Sequence, residues 1–100
     1  MNRKIQDQNV ELLMQAIATL RDPSEAMDFF EDLCTINELK AMSQRLAVAR
    51  MLREQKVYTE IVEKTGASTA TISRVNRCLH YGADGYNEVL DRLDRGEGKV

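Results

Sequence analysis

The chain has 100 residues, 43% of them hydrophobic and 30% charged, with one proline and five glycines; that is one domain's worth of chain and favours helices over a turn-rich sheet protein. No run approaches the roughly 20 apolar residues of a membrane span, and the start "MNRKIQDQNVELLMQ" turns polar too quickly for a signal peptide, so a soluble, cytoplasmic protein is expected. The net charge of −2 conceals a division: 3 basic and 8 acidic side chains in residues 1–39, 8 and 3 in 40–80, and 3 and 5 in 81–100, so a local positive field able to attract phosphate gathers in the middle of the chain.

Six helices are expected. The first covers roughly 3–20, where Leu12, Leu13, Ala16, Ile17 and Leu20 recur at helical spacing on one face. "RDPSE" ends it and starts the second: Asp22 serves as N-cap, Pro23 suits the first helical position and Glu25 completes a capping box. Met27, Phe29, Phe30, Leu33 and Cys34 make this helix strongly apolar. Adjacent helical residues point about 100° apart, so Phe29 and Phe30 are both covered only if the helix is enclosed on two sides, and a second subunit can supply the second side.

"TINE" repeats the capping signal with Thr35 and Glu38, and the third helix runs to about Glu54. Leu39, Met42, Leu46 and Ala49 line one face, and Ala41, Val48 and Leu52 another, the pattern of a helix packed between neighbours. Thr59 is expected to cap a short fourth helix that Gly66 ends. Ser68 caps a fifth, with Ile72, Val75 and Leu79 on its apolar side. "HYGADG" breaks the chain before a last helix carrying Tyr86, Val89, Leu90 and Leu93, and the tail "RGEGKV" reads as frayed. The single domain of residues 1–100 thus divides into helices within 1–54, a hairpin of helices over 58–79 and a C-terminal helix over 84–94. Cys34 and Cys78 lack a C-x-x-C partner and read as buried free thiols.

Counting from Tyr58 as position one, Ile61 and Val62 fall at four and five, Gly66 at nine, Ala67 at ten, Ile72 at fifteen and Val75 at eighteen. This is the helix-turn-helix pattern. Two short helices crossing steeply need apolar contacts where they meet, which Ile61, Ile72 and Val75 supply. The turn needs a residue at ease with positive φ, which Gly66 is. Ser68 then satisfies an orphan N–H at the next helix start. Thr69, Ala70, Thr71, Ser73, Arg74, Asn76 and Arg77 are left facing outward. Small residues let a helix enter the major groove; hydroxyls, methyls and arginines there meet base edges and phosphates. Double-stranded DNA is the partner this points to. The alternative is a protein-interaction module reusing a similar hairpin. An enzyme is not expected: His80 is the only histidine, and no carboxylate pair, phosphate-cradling loop or metal-ligand cluster accompanies it.

At "GASTATISR" the sequence resembles the Trp repressor superfamily, which has G-A-x-x-A-T-I-[ST]-R at this place. "TINELKAMSQR" is similar to that family's segment leading into its central helix. Within the superfamily the chain is identified with the TrpR-like YerC/YecD family. The resemblance implies an all-α, six-helix Trp-repressor-like fold with a helix-turn-helix. It also implies an intertwined homodimer presenting two reading heads roughly 34 Å apart to successive major grooves, and a transcriptional regulator, in the main a repressor. Family DNA contacts fall on Thr59, Val62, Thr69, Ala70, Thr71 and Ser73; Ser68, Arg74 and Arg77 join them from the residue reading above. Two family arginines that sandwich a tryptophan co-repressor fall on Arg45 and Arg74. The glycine after the second is Val75 here, and a serine that holds the ligand's amino group is Cys78, a poorer hydrogen-bond partner. A tryptophan co-repressor is therefore not expected, and no other cofactor is indicated.

Overall fold

A computed structural model describes residues 7–98. They form six helices: α1 (Gln8–Ala18), α2 (Pro23–Leu33), α3 (Ile36–Arg53), α4 (Tyr58–Thr65), α5 (Thr69–Tyr81) and α6 (Gly85–Asp94). There is no strand among the described residues.

The helix boundaries follow local chemistry. Asp7 caps α1 by accepting the N–H of Val10 at 2.7 Å, so this helix starts later than expected; residues 3–6 of the expected span lie outside the described residues. It also stops at Ala18 rather than 20, where the Thr19 hydroxyl donates back to the Ala16 carbonyl. Asp22 accepts from Glu25 N–H at 2.9 Å, with Pro23 in the first turn. The reciprocal bond differs from the expected box: the Glu25 carboxylate accepts from the Arg21 N–H, not that of Asp22. The Thr35–Glu38 box is complete, with bonds of 3.1 and 2.8 Å. That pairing holds the Glu38 carboxyl below the usual carboxylate range, chiefly through the Thr35 N–H.

Two helices end alike. After α3, Lys56 N–H reaches the Met51 carbonyl and Gln55 N–H that of Leu52. After α6, Glu97 N–H reaches Arg92 and Gly96 N–H reaches Leu93. Both are Schellman closures whose turning residue is left-handed, at φ 63° for Gln55 and 86° for Gly96. The segment Arg95–Gly98 is therefore tied into turns rather than frayed; residues 99 and 100 lie outside the described residues.

The core draws on residues from Val48 onward. Val48 and Ala49 of α3 meet Ile61, Ala67, Ile72, Val75 and Leu90, with Met51, Leu52, Leu79 and Tyr86 packed around them. Helix α3 is the spine on which α4, α5 and α6 lie. Arg53 ties α6 to it, donating to the Asn87 carbonyl at 3.0 Å and pairing with Asp91. Of the two apolar faces expected on α3, only Val48 and Ala49 are fully buried; Ala41 and Leu46 are exposed.

Helices α1 and α2 bury no residue at all. Leu12 is 64% exposed and Ile36 74%. Phe29 and Phe30 pack edge-to-face, their centroids 5.6 Å apart, yet both stay only half-buried. The accessible surface is 7942 Å²; a compact monomer of 11.4 kDa would expose about 5,800 Å². The radius of gyration, 14.6 Å, likewise exceeds the about 13 Å of a globular domain this long.

Candidate nucleic-acid interface

The hairpin α4–turn–α5 is held at three levels. Ile61, Ile72 and Val75 point inward and are essentially inaccessible. Gly66 turns the chain at φ 72°, its N–H closing on the Val62 carbonyl at 2.8 Å. Thr65 then knits the turn: its hydroxyl donates to the Ile61 carbonyl at 2.7 Å and accepts from Ala67 N–H at 3.1 Å. Gln44 of α3 donates to the Thr65 carbonyl at 3.0 Å, pinning the turn to the spine. Ala67 is buried, which a larger side chain in so tight a turn would prevent. The hairpin is thus fixed to α3 by packing and by hydrogen bonds at the turn.

Ser68 caps α5 as expected, accepting from Thr71 N–H at 3.1 Å. Thr59 does not cap α4. The helix begins at Tyr58, with Val57 in the cap position and no side-chain cap bond. Starting there lets the Ile61 N–H bond to the Val57 carbonyl and turns Ile61 into the core; Thr59 becomes an exposed residue of the first turn.

The remaining expected contact residues lie as follows. Thr69, Ala70, Ser73, Arg74 and Arg77 are exposed along α5, Thr71 is half-buried, and Val62 is exposed on α4. Helices α1, α2, α3, α4 and α6 each carry an acidic side chain in the first turn; α5 carries none. The positive end of its backbone dipole is therefore left uncompensated. On α4, Lys64 pairs with Glu60 at 3.0 Å, which raises the lysine's pKa and lowers the glutamate's. The guanidinium groups of α5 have no such partner among the recorded ion pairs of the described residues.

The residues matched to a ligand pocket are dispersed in character. Val75 is 1% exposed and part of the core. Arg45 is half-buried on α3, and Arg74 is exposed on α5. Cys78 is exposed, not buried as expected, because it stands roughly 90° round α5 from the stripe of Ile72, Val75 and Leu79. It opens onto a hollow of ≈ 270 Å³ shared with Gly82, Ala83, Asp84, Gly85 and Tyr86. Cys34 is half-buried.

A second hollow, of ≈ 430 Å³, lies between the start of α4 and the flank of α5 and is lined by Tyr58, Ser73, Asn76, Arg77, His80 and Tyr81. Sequence reasoning marked Ser73 and Arg77 as site residues, set Asn76 on the same outward face, and missed Tyr58, His80 and Tyr81. Its signal was present: positions 73, 76, 77, 80 and 81 form one polar stripe of a helix.

An all-helical chain with a rigid helix-turn-helix on a long central spine defines the class. The family model described as Trp repressor protein matches residues 8–94. The chain is 52% identical over 94 residues to the protein YerC of Bacillus subtilis, spanning 94% of this chain and 90% of that protein. It is 31% identical over 86 residues to a Trp operon repressor homolog of Chlamydia caviae, with 85% of each covered. Among solved structures, a TrpR-like protein from Eubacterium eligens superposes with a TM-score of 0.88 at 62% identity, covering 93% of this chain and 96% of that one. The chain belongs to the Trp repressor family.

Proposed function

We propose that this protein is a dimeric, sequence-specific DNA-binding regulator, acting in the cytoplasm as a repressor by occupying its operator through the major groove. The observation that carries the reading is the two-sidedness of α5. Its inner stripe is locked in the core, while Thr69, Ala70, Ser73, Arg74 and Arg77 stand clear on the other side. With Ser68, Thr71, Thr59 and Val62 they offer hydroxyls, methyls and guanidinium groups of the kinds that read base edges and grip phosphates. The acid-free first turn of α5 supports a phosphate at its N-terminus.

The dimer is supported by what one chain leaves uncovered. One chain exposes about 2,000 Å² more than a compact monomer of its mass would. Large apolar side chains stand exposed on α1, α2 and the start of α3, at Leu12, Met14, Met27, Leu33 and Ile36, beside others on the later helices. The inward Val75 supports a head that is held without tryptophan, since its side chain fills the core at the position where the family's ligand lies against a glycine.

Binding of selected duplexes from a random pool, followed by anisotropy, tests the reading. An enriched palindrome is expected. Arg74→Ala and Thr71→Ala should each weaken operator binding by about 1–3 kcal/mol per lost base contact. Added tryptophan should leave affinity unchanged. No association of the wild-type chain with any duplex at low salt would overturn the reading in favour of a protein-docking module.

A further inference from the structure

We propose that the cleft lined by Tyr58, Ser73, Asn76, Arg77, His80 and Tyr81 seats a backbone phosphate of the duplex, and that His80 takes up a proton when it does. The proposal rests on the DNA-binding reading above and extends the interface past the bases to the C-terminal half of α5.

Position is the first argument. From Thr69 to His80 the helix rises about 16 Å, more than the about 12 Å width of the major groove. A helix whose first turns rest on base edges therefore has its last turn over the sugar–phosphate backbone. The cleft runs along α5 from Ser73 to Tyr81, and its His80–Tyr81 end lies at that last turn.

Its chemistry is the second. The lining offers a hydroxyl, an amide, a guanidinium, an imidazole and two phenols, and no carboxylate. Each of those groups donates hydrogen bonds or, as arginine does, grips a phosphate with two parallel N–H groups. Tyr81 is 87% exposed, an aromatic side chain that packs on nothing within the chain's core.

The proton follows from one hydrogen bond. His80 Nδ1 lies 2.8 Å from the Asn76 carbonyl oxygen. A carbonyl only accepts, so Nδ1 carries the hydrogen and Nε2 is the nitrogen left for a ligand. On a neutral ring Nε2 presents a lone pair, which a phosphate oxygen repels; on the protonated ring it presents an N–H. Seating a phosphate therefore favours protonation, and by reciprocity protonation favours seating. The other titratable groups sharing the cleft are Arg77 and Tyr81 on α5 and Tyr58 on α4. None of these changes charge within about pH 5–8.

The experiment is operator binding by the full chain across a salt series at about pH 6 and about pH 8, with calorimetry in buffers of different ionisation enthalpy. Affinity should rise toward the lower pH with net proton uptake. His80→Gln should abolish the uptake and the pH dependence. His80→Lys, a fixed cation, should bind tightly at both values, which a merely structural histidine would not allow. Arg77→Gln should reduce the slope of log affinity against log salt by about 0.9. If the wild type binds duplex but the His80→Gln variant keeps the proton uptake and the Arg77→Gln variant keeps the slope, the cleft proposal falls and the groove reading stands. If the wild type binds no duplex, both fall.

Discussion

Gly66→Ala isolates the cost of the turn between α4 and α5. The residue sits at φ 72°, ψ 5°, a left-handed conformation that an L side chain enters at a cost of about 1–2 kcal/mol. Space is not the obstacle: a Cβ built at this position comes no closer than 4.0 Å to any neighbouring group, the Gln44 amide nitrogen. That is ordinary contact, so the whole cost is backbone strain. Urea denaturation of the full chain should show a lower midpoint at unchanged slope, and the melting temperature should fall by about 4–8 °C per kcal/mol for a domain of this size. Variants are compared at one protein concentration. Gly66→Asn should recover most of the loss, since asparagine's short polar side chain makes the left-handed region accessible. A loss equal for alanine and asparagine would refute the reasoning, because strain distinguishes them and a packing defect does not.

Other substitutions probe the same logic elsewhere. Gln55→Gly should raise stability by about 1 kcal/mol, since the strained turning residue of the α3 closure then matches Gly96 in the α6 closure; equilibrium unfolding reads it. Gly82→Ala should cost about 1–3 kcal/mol, because a Cβ there would stand 2.5 Å from the Cys78 carbonyl oxygen. Gly85→Ala, with nothing within 4 Å, should be neutral or stabilising in the same assay. Glu38→Gln tests the charge of the capping box. The Glu38 carboxyl is held below its ordinary value by Thr35, so its contribution is present above the unfolded carboxylate range and lost as pH falls through the lower, folded value. The stability gap between wild type and variant should thus be open at neutral pH and close on acidification below about pH 4.

What was legible in the sequence is what local chemistry decides. Asp22, Thr35 and Ser68 cap helices because a short side-chain oxygen sits within reach of an N–H three residues on, whatever the rest of the chain does. Gly66 turns left-handed for the same local reason. Thr59 shows the limit. Its hydroxyl argued for a cap, but the helix already starts at Tyr58 behind Val57, and Ile61 is buried against the core. Glu25 likewise has two N–H groups within reach, and its choice of Arg21 over Asp22 depends on how the chain enters α2. Cys78 looked buried by residue type, whereas its angular position on α5 leaves it open.

The cleft eluded the sequence for a different reason. Five of its six residues share a stripe of α5, but Tyr58 comes from the start of α4. Only the crossing of the two helices, fixed by Ile61 against Ile72 and Val75, brings it opposite. The crossing itself was readable from the spacing of apolar positions; what it encloses on its polar side was not, because periodicity reports which face a residue takes and not which residue it meets. The same division runs through the molecule. Apolar stripes in α1 and α2 were plain, yet within a single chain none of their residues is fully buried. In both places periodicity marks a face, apolar on α1 and α2 and polar on α5, while what meets that face is decided by groups far away in the sequence.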